Sequence, residues 1–397
     1  MTGSPVDLLT WAGVAALLAW LWLLSFRGGF WRQSETLAGS PPAPDGWPSV
    51  TAIVPARNEA DVLPVSLRSL LSQDYPGRLH VILVDDHSTD GTGDAARTAG
   101  TASGYAHRLT IVSAAARASG WVGKVHAMQQ GLLAMPETPG RSPDFLLFTD
   151  ADIAHPADGL RRLVAQAGTD RFDMVSLMVR LHCQSLWERL LIPAFVFFFA
   201  KLYPFRWAAD PRRKTAAAAG GCMLLRRRFL DGLDGLAPIR DALIDDCALA
   251  TLVKSRGGRL WLGLSDDAIS LRPYRGLGEI WDMVARSAFT QLRHSTLLLT
   301  GTLLGMILLY LLPPLLALSL PLHGNSVAAL SGACAWLLMA VSYAPTLRRY
   351  GQPLPMAFLL PVAGILYTLM TFDSARRHWL GRGGVWKGRI QAGAESR

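Results

Sequence analysis

Closely spaced aspartates that could do chemistry include Asp85-Asp86, Asp150-Ala-Asp152 and Asp245-Asp246. The first two pairs follow short runs rich in Val, Leu, Ile and Phe, which are typical of buried strands. Paired carboxylates at a strand end are the hard oxygen ligands that Mg²⁺ and Mn²⁺ prefer. An exposed turn closing the strand would explain one such pair equally well, so a cation site needs support from other motifs.

Two further motifs place charged residues at the start of helical runs. Asp245-Asp246 opens an apolar helical pattern, where two acids stabilise the positive end of the helix dipole by ~0.3 to 1 kcal/mol. Lys124, in Gly120-Trp-Val-Gly-Lys124, stands where a helix N-terminus could bind phosphate. A lysine at a helix start is also common as a solvated residue, so its position alone does not assign a role.

The elements that must position these residues alternate along the chain beyond Pro48. This alternation predicts an α/β fold with a Rossmann-like, mainly parallel and doubly wound sheet. Ligands bind such sheets at the carboxyl ends of the strands, where the first two aspartate pairs stand. The predicted strands cover residues 50–54, 79–84, 109–112, 145–148 and 172–179, and the predicted helices cover residues 62–71, 123–135 and 157–167.

The composition is too apolar for a single soluble domain and predicts α-helical transmembrane segments. Half of the 397 residues are hydrophobic and only 17% are charged, against roughly a quarter charged in soluble domains. Residues 8–24 form an apolar run followed by Arg27 and Arg32, which predicts one span with a cytoplasmic C-terminal end. A cleaved signal peptide is the rival hypothesis, but no basic region precedes the run.

Further apolar segments follow in the second half of the chain. Residues 296–320, 326–343 and 355–371 predict membrane helices, yet three crossings would place the basic tail outside, against the positive-inside tendency. We therefore expect one block to be re-entrant, interfacial or broken, with the block carrying Pro313-Pro314 and the third block as candidates. Residues 186–205 are interrupted by charged residues, which favours either a helix lying in the membrane plane or a buried core helix.

The predicted organisation has six parts. Residues 1–37 form the anchor, 38–48 a linker, 49–275 the globular domain, 276–295 an amphipathic juxtamembrane segment, 296–372 the membrane helices and 373–397 a basic cytoplasmic tail. The net charge of +9 comes largely from basic residues beside apolar segments, which favours anionic lipid head groups over nucleic acid as the partner. The cysteines show no metal-ligand spacing and are interpreted as reduced packing residues: Cys183, Cys222, Cys247 and Cys334.

Five motifs in a fixed order carry a resemblance to a known family. They are Val54-Pro-Ala-Arg-Asn-Glu59, Val84-Asp-Asp-His-Ser-Thr-Asp-Gly91, Thr149-Asp-Ala-Asp152, Gly220-Gly-Cys-Met-Leu-Leu-Arg-Arg227 and Ile244-Asp-Asp-Cys-Ala-Leu249. Over residues 49–294 the chain resembles the family 2 glycosyltransferases, which have a GT-A fold. The membrane segments and Val385-Trp-Lys-Gly-Arg389 make it most similar to the membrane-bound, hopene-associated glycosyltransferases of bacterial hopanoid clusters.

The resemblance implies a site for a UDP-sugar donor. Asp86 would accept the N3 proton of uracil, and Asp85 would support the ribose. Asp150 and Asp152 would hold Mg²⁺ or Mn²⁺ on the diphosphate. The other residues implied to bind the nucleotide sugar are Pro55, Arg57, Glu59, Lys124 and Gly221.

The resemblance also implies the catalytic residues. Asp246 matches the acid that serves as general base, which deprotonates the acceptor hydroxyl and gives inversion in one displacement. Arg286, in Met283-Val-Ala-Arg286-Ser287, aligns with the arginine of the family's Gln-x-x-Arg-Trp motif, which would bind the leaving diphosphate. The tryptophan is absent, which argues against polymerisation, and Arg293 is the alternative arginine.

The resulting hypothesis is an inverting, metal-dependent glycosyltransferase of the bacterial inner membrane. It would move a sugar from a cytoplasmic UDP-sugar to a lipid hydroxyl, with a hopanoid as the expected acceptor. One alternative is a polyisoprenyl-phosphate glycosyltransferase, whose phosphate acceptor needs no base. Another is a non-catalytic membrane scaffold that binds nucleotide sugar.

Overall fold

The structure is a computed structural model that describes residues 5–37, 39, 46–135, 142–381, 385–386 and 389–390. The chain divides into two compact units. The helical unit comprises Met1–Ser34, Cys183–Pro204 and Pro273–Gly383, and the sheet unit comprises Glu35–His182, Phe205–Arg272 and Gly384–Arg397. Most of the predicted linker, and residues 382–384, 387–388 and 391–397 of the predicted tail, lie outside the described residues.

Strands and helices are numbered along the chain. The strands are β1 (Val50–Ala56), β2 (Leu79–Asp85), β3 (Leu109–Ser113), β4 (Phe145–Thr149), β5 (Ile153–Ala154), β6 (Met174–Arg180), β7 (Cys222–Arg226), β8 (Leu260–Ser270), β9 (Val385–Trp386) and β10 (Arg389–Ile390). The α-helices are α1 (Pro5–Phe26), α2 (Leu63–Leu71), α3 (Thr92–Ser103), α4 (Gly123–Leu133), α5 (Gly159–Thr169), α6 (Leu186–Leu202), α7 (Phe205–Ala209), α8 (Asp245–Ser255), α9 (Leu277–Ala285), α10 (Ala288–Gln291), α11 (Thr296–Met306), α12 (Leu312–Leu318), α13 (Leu320–His323), α14 (Ser326–Arg349) and α15 (Leu360–Trp379).

The sheet unit is built on one eight-stranded sheet in the order β3-β2-β1-β4-β7-β6-β8-β5. Strands β1, β2, β3 and β4 pair in parallel, as do β6 and β8. Strand β7 runs antiparallel to both of its neighbours, and the short β5 is antiparallel to β8. The predicted α/β, mainly parallel sheet is confirmed, while the antiparallel β7 and the long strand β8 were not among the predicted strands.

Strand β1 shows why the sheet has helices on both faces. All seven of its residues are buried, as expected for a central strand that is covered on both sides. Alternate residues point to opposite faces: Ala52 and Val54 join a core with α2 and α5, whereas Ile53 joins a core with α4 and α8. This two-sided core fixes the strand ends that carry the candidate site.

Gly131 allows α4 to lie close to the sheet. A Cβ atom at this position would lie 2.5 Å from Ile53 Cγ2 and 3.2 Å from Val84 Cγ2. We expect Gly131→Ala to lower the unfolding free energy of the sheet unit by about 1 to 3 kcal/mol because the core has no room for the methyl group.

Thermal unfolding of the detergent-solubilised chain measures this effect. The control is Gly168→Ala in α5, where a Cβ would meet nothing within 4 Å. That variant should keep or raise the melting temperature because alanine favours the helix. Equal melting temperatures for both variants would contradict the close approach of α4.

Among the residues that the structure describes, the helical unit contains four helices that are long and apolar enough to cross a membrane. They cover Leu8–Phe26, Thr296–Leu318, Ser326–Arg349 and Leu354–Trp379. These ranges include the anchor run and all three apolar blocks, so the predicted transmembrane helices are confirmed in length and composition. Which of these blocks is re-entrant, and on which side the tail lies, stay predictions.

The Pro313-Pro314 block is irregular where the sequence suggested a break. A π-helical turn at Ile307–Leu311 separates α11 from α12. Because proline has no N–H, Pro313 cannot donate to the carbonyl of Leu309 as a helix residue normally would. Trp20 Nε1 donates to that carbonyl at 2.9 Å, so a neighbouring helix satisfies the freed group, as an apolar environment requires.

Helix α6 lies among the helices of this unit. Leu191, Ile192 and Phe197 are fully buried, and Tyr367 Oη of α15 donates to the Leu191 carbonyl at 2.9 Å. Glu188 forms a capping box with Ser185 at the helix start. This packing agrees with the buried-helix alternative, and placement in the membrane plane stays a prediction.

Candidate active site

One edge of the sheet collects the predicted site segments. Strands β1, β4, β6 and β8 share one direction, so the residues that follow β1, β4 and β8 emerge at the same edge. Strand β7 is antiparallel to β4 and pairs Cys222 with Thr149. The Gly220-Gly221 pair that precedes β7 therefore lies at this edge too, which the motif alone does not reveal.

Lys124 joins two of the aspartate pairs. It lies in the first turn of α4, and its Nζ is 2.9 Å from Asp150 Oδ1 and 3.2 Å from Asp245 Oδ2. A Cβ on residue 220 would lie 3.0 Å from this Nζ, so a larger residue there would crowd the ammonium group. Burial opposes the charged amine, but the charges of Asp150 and Asp245 outweigh it and raise the pKa of Lys124. The solvated-residue alternative for Lys124 is thus wrong.

Asp246 is held by two backbone amides. Its Oδ2 accepts from the N–H of Gly220 at 2.9 Å, and its Oδ1 accepts from its neighbour Cys247 at 2.7 Å. Burial and the charge of Asp245 raise the pKa of Asp246 to about 6, against the opposing effect of Lys124. A carboxylate with a pKa near neutrality is suited to accept a proton at physiological pH.

The two carboxylates of Asp150-Ala-Asp152 have different partners. Asp150 binds Lys124, whereas Asp152 Oδ2 accepts from Ser270 Oγ at 3.1 Å and from Arg272 Nε at 3.3 Å. Arg272 Nη2 also donates to Glu59 Oε1 at 2.6 Å. Arg272 was absent from the predicted site because it follows β8, a strand that the sequence pattern did not predict.

The loops after β1 and β2 are bonded to each other. Arg57 donates to the backbone carbonyl of Asp86, and its Nη1 lies 3.7 Å from Asp86 Oδ2. Glu59 N–H donates to Thr92 Oγ1 at 2.9 Å. Asp85 Oδ1 accepts from the N–H of Ser88 at 2.9 Å, and Pro55 lies within β1. These contacts bring together the residues predicted to bind the nucleotide, whose individual roles stay predictions.

His126 is a further residue beside Asp86 that the sequence did not suggest. It lies on α4, is buried, and stacks edge-on against Trp121. Burial lowers the pKa of His126, while the negative charge of Asp86 opposes this. His126 belongs to none of the motifs described above, and only the folded structure reveals its proximity to Asp86.

The two remaining predicted residues are Gly221 and Arg286. Gly221 contributes its carbonyl, which accepts from Thr149 Oγ1 at 2.8 Å. Arg286 ends α9 in the helical unit, where its N–H donates to the carbonyl of Asp282. Its role toward a diphosphate stays a prediction.

The donor set fits a divalent cation that is shared with phosphates. Among the described residues, Asp150 Oδ2 and Asp152 Oδ1 accept no hydrogen bond, since the bonds go to the other oxygen of each carboxylate. No group of three or more His, Cys, Asp or Glu in the described ranges could hold a metal ion. One or two carboxylates completed by phosphate oxygens and waters is the usual Mg²⁺ arrangement.

The charges at this edge also favour a bound divalent cation. Around Lys124 and Arg272, the described residues place the carboxyl groups of Glu59, Asp150, Asp152, Asp245 and Asp246. An anionic diphosphate approaching this excess of negative charge would be repelled. A divalent cation bound at this edge would reduce that repulsion.

Known proteins are similar to parts of this chain. Residues 51–233 match the family model described as glycosyl transferase family 2. A β-monoglucosyldiacylglycerol synthase from Synechocystis sp. is 32% identical over 181 residues, covering 41% of this chain and 35% of the relative. A 4,4'-diaponeurosporenoate glycosyltransferase from Staphylococcus aureus is 35% identical over 106 residues, covering 26% of this chain and 24% of the relative. The chain thus spans about a third or less of these curated relatives.

One solved structure is similar over nearly the whole chain. It is a mannosyltransferase from Pyrobaculum calidifontis in complex with GDP-Man and Mn²⁺, with 22% identity and a TM-score of 0.51. The match covers 97% of this chain and 100% of the other. At this identity the likeness concerns the fold, and it confirms the predicted GT-A fold with helical segments.

Proposed function

We propose that this chain, whose residues 51–233 match the family model described as glycosyl transferase family 2, is an inverting, metal-dependent glycosyltransferase that moves a sugar from a UDP-sugar to a membrane lipid hydroxyl. The observation that carries the proposal is Asp246, which two backbone amides hold near Lys124, the partner of Asp150. A nucleotide-binding scaffold would have no need of a buried carboxylate with a raised pKa at this edge.

The residues suggest a single displacement. Asp246 takes the proton from the acceptor hydroxyl as the new bond between the acceptor oxygen and C1 of the sugar forms. The bond between C1 and the diphosphate oxygen breaks in the same step, and the electron pair leaves with the diphosphate. Attack from the face opposite to the leaving group inverts the configuration at C1.

The donor's diphosphate would be bound through Asp150 and Asp152. A divalent cation held by these carboxylates supplies charge neutralisation for the leaving group. Lys124 contributes a fixed positive charge at the same place, because its pKa is raised and it stays protonated. The fold relative from P. calidifontis is described with Mn²⁺, which supports this assignment.

The base of the nucleotide is proposed to lie against Asp86. A carboxylate that accepts a ring N–H suits uracil, and it would suit guanine as well, whereas adenine and cytosine lack that donor. The fold relative is described in complex with GDP-Man, which carries guanine in place of uracil. Competition of UDP and GDP for the same site measures the preference, and we expect UDP to bind more tightly.

The acceptor is proposed to be a lipid hydroxyl, with a hopanoid as the specific candidate. The four apolar helices and the names of the two curated relatives, a glucosyldiacylglycerol synthase and a diaponeurosporenoate glycosyltransferase, support a lipid. Lipid extracts of a deletion strain and its parent, compared by mass spectrometry, test the proposal. Loss of a glycosylated lipid, restored by the wild-type gene, is expected; identical extracts would contradict it.

The pKa of Asp246 gives a pH prediction. The base must be deprotonated, so kcat/KM should fall tenfold per pH unit below about 6 and stay level above it. Asp245→Asn should shift this fall to lower pH, because the charge of Asp245 raises the pKa of Asp246. A profile that is flat from pH 5 to 8 in the wild type would remove Asp246 from the rate-limiting step.

The location proposed is the bacterial inner membrane, with the sheet unit in the cytoplasm. Arg27 and Arg32 follow the first apolar helix, and basic residues favour the cytoplasmic side. A reporter fused after Ala38 should therefore score as cytoplasmic. A periplasmic signal would contradict both the orientation and the use of a cytoplasmic nucleotide sugar.

A further inference from the structure

Arg272 joins two predicted donor-site residues that are far apart in the chain. Its Nη2 donates to Glu59 Oε1 at 2.6 Å and its Nε donates to Asp152 Oδ2 at 3.3 Å. Glu59 follows β1, Asp152 follows β4 and Arg272 follows β8. One guanidinium therefore ties together loops from three strands of the same sheet.

Burial makes this bridge more than a surface ion pair. The side chain of Glu59 is 8% exposed and that of Asp152 is 14% exposed. Carboxylates so far removed from water need a charged or hydrogen-bonding partner to remain ionised. Without Arg272, Glu59 and Asp152 would lose the cation that they share, and the loops that carry them would lose this link.

The bonds to Asp152 also set the orientation of its carboxylate. Arg272 Nε and Ser270 Oγ both donate to Oδ2, and no described residue donates to Oδ1. Two donors on one oxygen fix the rotation of the group and leave the other oxygen for a further ligand. A lysine could not reproduce this, because only the planar fork of arginine offers separate N–H groups to two acids.

We propose that Arg272 is a positioning residue for metal-assisted donor binding, which orients the cation ligand Asp152 and ties it to Glu59. The inference rests on the proposed function, which assigns Asp150 and Asp152 to the cation. Loss of a group that orients a metal ligand commonly weakens metal affinity about 10- to 100-fold. The base-binding part of the site, around Asp86, should be unaffected.

The test measures binding of Mn²⁺ to the full-length, detergent-solubilised chain in the presence of UDP, by calorimetry or by loss of the free Mn²⁺ resonance signal. Arg272→Gln is expected to weaken Mn²⁺ binding about tenfold or more, while uridine binding in EDTA stays within twofold of wild type. Arg272→Lys keeps the charge and protects the fold, and it should also bind Mn²⁺ several-fold more weakly than wild type.

The matched control is Arg162→Gln. Arg162 also forms an ion pair in the sheet unit, with Asp267 at 2.6 Å, and its loss should leave Mn²⁺ affinity unchanged. Wild-type Mn²⁺ affinity in both Arg272 variants, with normal melting temperatures, would overturn the inference alone. A wild-type chain that binds no Mn²⁺ with UDP would overturn the proposed metal dependence, and this inference with it.

Discussion

Asp246→Asn should reduce turnover by about 10²- to 10⁴-fold, the usual contribution of a general base, while binding of the nucleotide remains close to wild type. The amide keeps the shape of the side chain and can still accept from a backbone N–H such as that of Gly220, but it cannot take a proton. Single-turnover transfer from a radiolabelled UDP-sugar to extracted lipids measures the change. Asp241→Asn, an exposed position in the segment before α8, is the matched control and should keep full activity.

The same variant separates the two enzymatic alternatives. A phosphate acceptor is already a nucleophile, so a polyisoprenyl-phosphate glycosyltransferase should retain substantial activity after Asp246→Asn. A hydroxyl acceptor should lose nearly all of it. If the wild-type chain binds nucleotide sugar with no transfer to any lipid fraction, the scaffold alternative replaces both.

Asp152→Ala should abolish divalent stimulation of UDP binding and lower transfer by about 10²-fold or more, because several kcal/mol of charge stabilisation are lost at the leaving group. The substitution also leaves Arg272 with only Glu59 of its two acidic partners. UDP affinity measured with Mn²⁺ and with EDTA checks the effect, and the two values should become equal in the variant.

Asp170→Ala, an exposed aspartate at the end of α5, is the control for this second substitution. It should leave the difference between Mn²⁺ and EDTA intact. Full sugar-transfer activity of the wild-type chain in EDTA would contradict the assignment of both Asp150 and Asp152 to a metal ion, whatever the variants show.

The strands of the parallel half of the sheet and the apolar helices could be predicted from local sequence pattern. Strands β1 and β4 are uniformly buried. Their runs of apolar residues indicate a buried strand without any knowledge of the neighbouring strands. Apolar helices can be predicted in the same way, because their length must match the thickness of the membrane. Carboxylates at strand ends could therefore be placed at the ligand-binding edge from local pattern alone.

The less regular elements were not predictable from local pattern. Helix α3 is rich in Thr, Gly and Ala and contains no large apolar residue. Strand β7 is a short run that fits a helix or a strand equally well. Its antiparallel direction arises from pairing with β4 and β6. That direction brings Gly220 to the site, where its N–H meets Asp246.

Only the tertiary structure decided which charges compensate one another. Arg272 meets Glu59 across 213 residues of chain, and Lys124 meets Asp245, although nothing in either local sequence selects these partners. The reason is physical: a strand or helix follows from the periodicity of neighbouring residues, whereas an ion pair depends on where separate elements end in space. Burial then makes these ion pairs necessary, because a carboxylate that is removed from water needs a partner wherever the fold places it.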